Sequence, residues 1–259
     1  MTAVRPLAGS YCAVCGEDLR LPANSDLVEV RCLLCQRVDP PFERAVAYGS
    51  YESELRELIH LLKFQQVRPA ADVLGRMLAE PIARLEPAMP VGSIAVIPVP
   101  LHRRKRRQRG FNQAELIARS ALKQMSRAQM SRSNRFELCT GVLARLRETG
   151  SQIGLNRHQR RKNLRGAFAV SDAKPIMKRG VLLVDDVLTT GTTASECATV
   201  LLRAGAARVW VATVARTLKV SQWNLSDLGS LGQNSENDSP QNDLPEEEIQ
   251  SFQKMTAKA

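Results

Sequence analysis

Residues 181–193 read VLLVDDVLTTGTT, and no other stretch of the chain limits its possible folds as tightly. Four consecutive apolar residues without polar alternation suit a strand buried on both faces, the habit of parallel sheets. Such a strand delivers Asp185 and Asp186 to its C-terminal edge, where open α/β sheets bind ligands. A tight loop of Thr189, Thr190, Gly191, Thr192 and Thr193 follows and opens into a helix. Backbone N–H groups of such a loop cradle a phosphate, Gly191 lets the chain approach it, and the threonine hydroxyls add donors. The helix dipole favours the same anion. Two carboxylates beside a phosphate cradle serve a second purpose, accepting from sugar hydroxyls or holding a hydrated Mg2+. The stretch therefore reads as a ribose 5-phosphate pocket. It is no Walker loop, since Gly-x4-Gly-Lys-Ser/Thr is absent.

The rest of the chain supplies the layers such a strand needs. Strands are expected at 44–50, 93–99, 180–184 and 208–214, with shorter ones at 142–146 and 167–170. Helices are expected at 54–64, where Leu55, Leu58, Ile59 and Leu62 keep helical spacing, and at 70–85, 113–125 and 192–203. His60, inside the first of these, is read as structural. Strand–helix alternation of this kind predicts an α/β domain, a parallel sheet flanked by helices, over residues 41–219. Residues 220–259 carry seven acids against two bases, rich in Ser, Asn and Gln, and are expected to be a disordered acidic tail.

Residues 1–40 have little periodicity but hold Cys12, Cys15, Cys32 and Cys35, spaced C-x2-C-x16-C-x2-C. Four such thiolates fill a closed tetrahedral zinc site, against the alternatives of two disulfides, reduced cysteines or an iron–sulfur centre, and a segment with so small a core needs such a staple to fold. Cys139 and Cys197 lack metal spacing and are read as ordinary semi-buried residues. No run approaches the roughly 20 apolar residues of a membrane span. The first eleven residues carry no apolar signal core, so a cytoplasmic location is expected.

Charge narrows the partners. The chain carries +11 at neutral pH, and residues 101–166 hold 18 Lys and Arg against three Glu, a net of +15. Six of these bases fall within 102–109 (HRRKRRQR) and five within 157–165 (RHQRRKNLR). One anionic substrate does not require so many charges. Nucleic-acid backbone is the second partner that fits, through Arg104, Lys105, Arg106, Arg107 and Arg109, against the alternative of a solvated cationic rim on loops. Aromatic residues are 4% of the chain, which argues against stacked aromatic platforms for single strands. The acidic tail is expected to screen the basic window.

The 181–193 stretch resembles the phosphoribosyl pyrophosphate (PRPP) signature of type I phosphoribosyltransferases. Beyond it, 98–103 (PVPLHR), 109–113 (RGFNQ), 147–152 (RETGSQ) and 157–168 are similar to the ComF family, known from competence for DNA uptake. The resemblance spans roughly residues 10–217 and implies a phosphoribosyltransferase domain joined to an N-terminal zinc knuckle. It further implies that Val99, Pro100, Leu101, His102 and Arg103 form the pyrophosphate loop. Thr149, Gln152, Arg157 and Arg161 would belong to a flexible loop that closes over PRPP and Mg2+. Asp185 and Asp186 would hold the ribose during transfer. The partners implied are PRPP, single-stranded DNA bound without sequence preference, and the helicase machinery of DNA uptake. Two other readings stay open at this point: a small-molecule phosphoribosyltransferase with an unidentified acceptor, and a non-catalytic PRPP or nucleotide sensor.

Overall fold

The computed structural model describes residues 10–19, 30–128, 135–148 and 164–218. The N-terminal tip, residues 149–163 and the expected acidic tail lie outside these residues. That includes Thr149, Gln152, Arg157 and Arg161.

Five strands form one all-parallel sheet: β1 (Ala45–Ser50), β2 (Ile94–Pro98), β3 (Phe136–Leu138), β6 (Gly180–Leu188) and β7 (Arg208–Arg216). Their order is β1-β7-β6-β2-β3, so β6 lies at the centre. Between them in sequence, β4 (Leu143–Arg145) and β5 (Phe168–Val170) pair antiparallel as a separate ribbon. Strand β2 and the first five residues of β6 are apolar and buried on either face, as a doubly covered parallel sheet requires.

Helices α2 (Ser53–Phe64), α3 (Ala70–Leu85) and α5 (Gln113–Arg127) cover one face. Their apolar stripes meet Val96, Leu182, Val184, Trp210 and Ala212 in one core. Helix α3 approaches α5 so closely that a Cβ on Gly75 would lie 2.4 Å from Cβ of Ser120. The Ser120 hydroxyl donates to Asp72 across the same contact at 3.0 Å. Helix α6 (Thr192–Arg203) packs on the opposite face, against β6, β7 and the β4–β5 ribbon.

Two expectations change. Strand β6 does not stop at Val184 but continues to Leu188, so both aspartates sit within a paired strand. The basic run is not a loop either. Arg103–Arg109 forms helix α4, ended by Gly110 in the left-handed conformation, whose N–H bonds to the Arg106 carbonyl. Seven long unbranched side chains favour helix. The repulsion among them is offset in part by Arg104–Glu148 at 3.4 Å and Arg106–Glu115 at 4.0 Å.

The cysteine segment includes helix α1 (Leu33–Arg37) and packs onto the sheet. The N–H of Ala45, the first residue of β1, donates to Val14 O at 2.7 Å. No helix of the described residues is long and apolar enough to cross a membrane.

Candidate functional site

The C-terminal ends of β6 and β2 define the site. The pleat sends successive side chains to opposite faces. Asp185 therefore follows Val181 and Leu183 toward α6, whereas Asp186 follows Leu182 and Val184 toward α2 and α5.

On the α6 face, Asp185 lines a narrow recess with Val99, Thr189, Gly191, Thr193 and Thr213. Gly191 caps α6 at φ +74°, where a side chain would strain the turn. The Thr190 and Thr192 hydroxyls lie 2.8 Å apart and share a hydrogen bond. One oxygen of Asp185 accepts from the backbone N–H of Asp186 at 2.8 Å. Burial, and secondly the charge of Asp186, push the Asp185 carboxyl up to about 7. Cys197 lies buried on this side, its thiol held protonated chiefly by burial and then by the Asp185 charge.

On the other face, Asp186 is 4% exposed and pairs with Lys63 Nζ at 2.7 Å. Its second oxygen, Oδ2, is buried without a hydrogen-bond partner among the described residues. Lys63 comes from the last turn of α2, and no local sequence pattern marks it. Burial, followed by the charges of Arg145 and Arg109, lowers the Lys105 ammonium from its ordinary value. Lys63, Lys105 and Arg109 thus gather near this edge of the sheet, with Arg145 on the Asp185 side.

Residues 99–102, four of the five expected in the pyrophosphate loop, connect β2 to α4, and the fifth, Arg103, is the first residue of that helix. Val99 N–H donates to Val184 O at 2.9 Å, continuing the sheet pairing for one residue. Asn112 fixes the same loop. Its side chain donates to Val99 O at 3.1 Å and accepts from Ala114 N–H at 3.2 Å, capping α5. That double role explains the Asn in RGFNQ, which the residue pattern alone did not reveal. His102 precedes α4 with Nδ1 buried and unpartnered among the described residues. Arg103, Arg104, Arg106 and Arg107 are exposed.

The four cysteines of the knuckle converge, with every pair of sulfurs within 4.8 Å. Cys15 and Cys32 sulfurs are 3.7 Å apart, close to the edge of a tetrahedron with metal–sulfur bonds of about 2.3 Å and too long for a disulfide. The backbone N–H groups of Cys15 and Cys32 donate to Cys12 Sγ at 3.5 and 3.3 Å. These two backbone donors favour the thiolate form that a metal ligand needs. The donor set fits a structural zinc ion.

Arg216 ties this centre to the sheet. It is 4% exposed, pairs with Glu17 at 2.6 Å and reaches Cys15 Sγ at 3.7 Å from the end of β7. Between knuckle and threonine loop lies a cavity of about 450 Å3. Leu34, Val38 and Phe42 form one wall, and Leu188, Thr190 and Glu196 the other.

No family model matches the sequence. Curated relatives do. The chain is 35% identical over 211 residues to a DNA utilization protein YhgH from Escherichia coli O157:H7, covering 81% of this chain and 85% of that one. It is 32% identical over 209 residues to competence protein F of Haemophilus influenzae, covering 80% and 84%. Among solved structures, a hypoxanthine phosphoribosyltransferase from Staphylococcus aureus aligns with a TM-score of 0.35 at 9% identity, over 57% of this chain and 64% of that one.

Proposed function

This chain belongs to the ComF family, the family of competence protein F, and from that premise we propose that it binds PRPP at the C-terminal edge of β6 and handles single-stranded DNA during its uptake or use. One observation carries the PRPP reading: Asp185 and the loop of Thr189, Gly191 and Thr193 line one recess, with the basic α4 one loop away. In this reading the threonine loop takes the 5-phosphate. Asp185 accepts from the ribose hydroxyls, because Lys63 already neutralises Asp186. Val99 to Arg103 and the first turn of α4 face the pyrophosphate. Mg2+, arriving with that group, supplies charge neutralisation. The chain's own residues hold the sugar where positive charge develops at the anomeric carbon. The helicase machinery of DNA uptake is a fitting protein partner for such a role.

Calorimetric titration with PRPP and Mg2+ tests the reading. Saturable binding that ribose 5-phosphate competes away is expected, and absence of PRPP binding overturns it. Fluorescence anisotropy with an oligothymidylate across a salt series tests the DNA half. Affinity should fall steeply with salt, and each phosphate contact removed from α4 should lower the log–log slope by about 0.7.

The cavity beside the threonine loop favours a second reading, a phosphoribosyltransferase with a small acceptor. Its volume of about 450 Å3 and largely apolar walls lie within the range of small-molecule sites. Pyrophosphate release from PRPP across a panel of acceptors separates this reading from the first.

A further inference from the structure

Phe64 is the last residue of α2, and it lies off the helix's apolar stripe. Leu55, Leu58, Ile59 and Leu62 turn toward the core, while Phe64 follows Leu62 by two residues and so points away from it. It is 64% exposed, the one exposed phenylalanine among the described residues. An apolar ring left this open at a helix end contributes little burial energy to the fold.

Its neighbours are not random. The Arg109 guanidinium lies over the Phe64 ring at 5.4 Å from the centroid, held by a hydrogen bond to Gln113 Oε1 at 3.0 Å. His60, one turn back, brings its ring to 5.0 Å from Phe64 and bonds through Nε2 to the Tyr51 hydroxyl at 3.1 Å. On the far side, Arg68 is exposed and lies over Phe111 at 5.4 Å. Glu57, exposed and one turn before His60, bounds the patch at its acidic end. The result is a fixed surface of π faces and guanidinium planes, Tyr51–His60–Phe64–Arg109, at the end of the basic helix α4.

We propose that this surface is a stacking platform for an unpaired base, with Phe64 and Arg109 taking the base and the exposed arginines of α4 taking the flanking phosphates. Aromatic rings and Arg planes accept any base face, and a neighbouring cationic stripe tracks the backbone. The partner that fits is therefore a single strand, since a duplex keeps its bases stacked on one another. The inference rests on the DNA-handling reading above and deepens it: low aromatic content limits how many platforms exist, not where one stands. The Lys63–Asp186 pair, the residue before, leaves the platform's root anchored in the sheet edge.

The test is anisotropy of the full chain with a labelled oligothymidylate, and with a duplex of the same length, from about 50 to 200 mM salt, where phosphate-driven binding weakens steeply. Phe64→Ala and Phe64→Leu should weaken single-strand binding about tenfold while keeping the salt slope, and leave duplex binding unchanged. Phe64→Trp should retain affinity and show fluorescence quenching on binding. Arg104→Ala with Arg107→Ala should instead lower the slope for both strands. Wild-type affinity in Phe64→Ala, or equal losses for single strand and duplex, overturns the platform alone. No binding by the wild-type chain even at the lowest salt overturns the platform together with the DNA reading.

Discussion

Asp185 and Asp186 are adjacent in the chain, yet the two faces of β6 give them different chemistry. On the α6 face, Asp185 shares a recess with the threonine loop, carries no ion pair among the described residues, and is pushed up to about 7, first by burial. On the α2 face, Asp186 is nine-tenths buried and matched by Lys63 at 2.7 Å. The contrast teaches that an acidic pair in a strand is not a pair in space. Under the proposed function Asp185 is the carboxylate that receives the ligand, whereas the Asp186–Lys63 pair secures α2 to the sheet.

The largest effect should separate the two residues directly. Asp185→Asn is expected to weaken PRPP binding roughly 100-fold, the scale of a charged hydrogen-bond acceptor lost from a polar site, with folding retained. Asp186→Asn should cost far less affinity. Calorimetric titration of both variants decides it, and equal losses would break the comparison.

Next in size is stability on the α2 face. Lys63→Met leaves Asp186 buried without its partner and should destabilise the protein by about 3 kcal/mol in urea unfolding. The double variant Lys63→Met, Asp186→Asn should recover most of that loss. An additive double variant would mean that the two groups do not act as a pair.

Metal removal sharpens the other side. The knuckle forms a wall of the cavity beside the threonine loop, and Arg216 links Cys15 to the end of β7. Chelation or Cys32→Ser should release the zinc and weaken PRPP binding several-fold, while the Lys63–Asp186 coupling stays unchanged. Zinc content read alongside the titration checks it.

The last comparison is set by pH. The folded pKa of Asp185 lies above its unfolded value, so between about pH 4 and 7 the native state holds more protons than the unfolded state. This group's contribution to stability therefore falls as pH rises through that window, and Asp185→Asn should flatten the slope. PRPP affinity should move the opposite way, rising from pH 6 to 8 as the acceptor ionises. Unfolding and binding measured across that range test both signs.

Much of the frame is legible in residue order because its causes are local. Helix α3 falls at Ala70–Leu85 as expected, from apolar spacing alone. The chain from β6 into α6 follows from an apolar run, a threonine loop and a glycine able to turn left-handed. The cysteine spacing brings four sulfurs together. Helix α4 was less legible, because a run of like charges argues for exposure and says little about whether the exposed backbone coils. Lys63, Asn112 and Arg216 left no local trace of their roles.

What the sequence determined by itself is therefore what interactions within a turn or two can enforce: strand and helix identity, the phosphate-type loop, the metal-type knuckle and the excess of positive charge. Tertiary structure decided the partners. Lys63 meets Asp186 across 123 positions, and Arg216 meets Cys15 across 201. It decided too that Phe64 remains open beside Arg109. Pleat parity assigns the faces, but which helix covers each face is fixed only when the whole sheet assembles. That assembly placed one of two neighbouring aspartates in the recess beside the threonine loop and paired the other with Lys63.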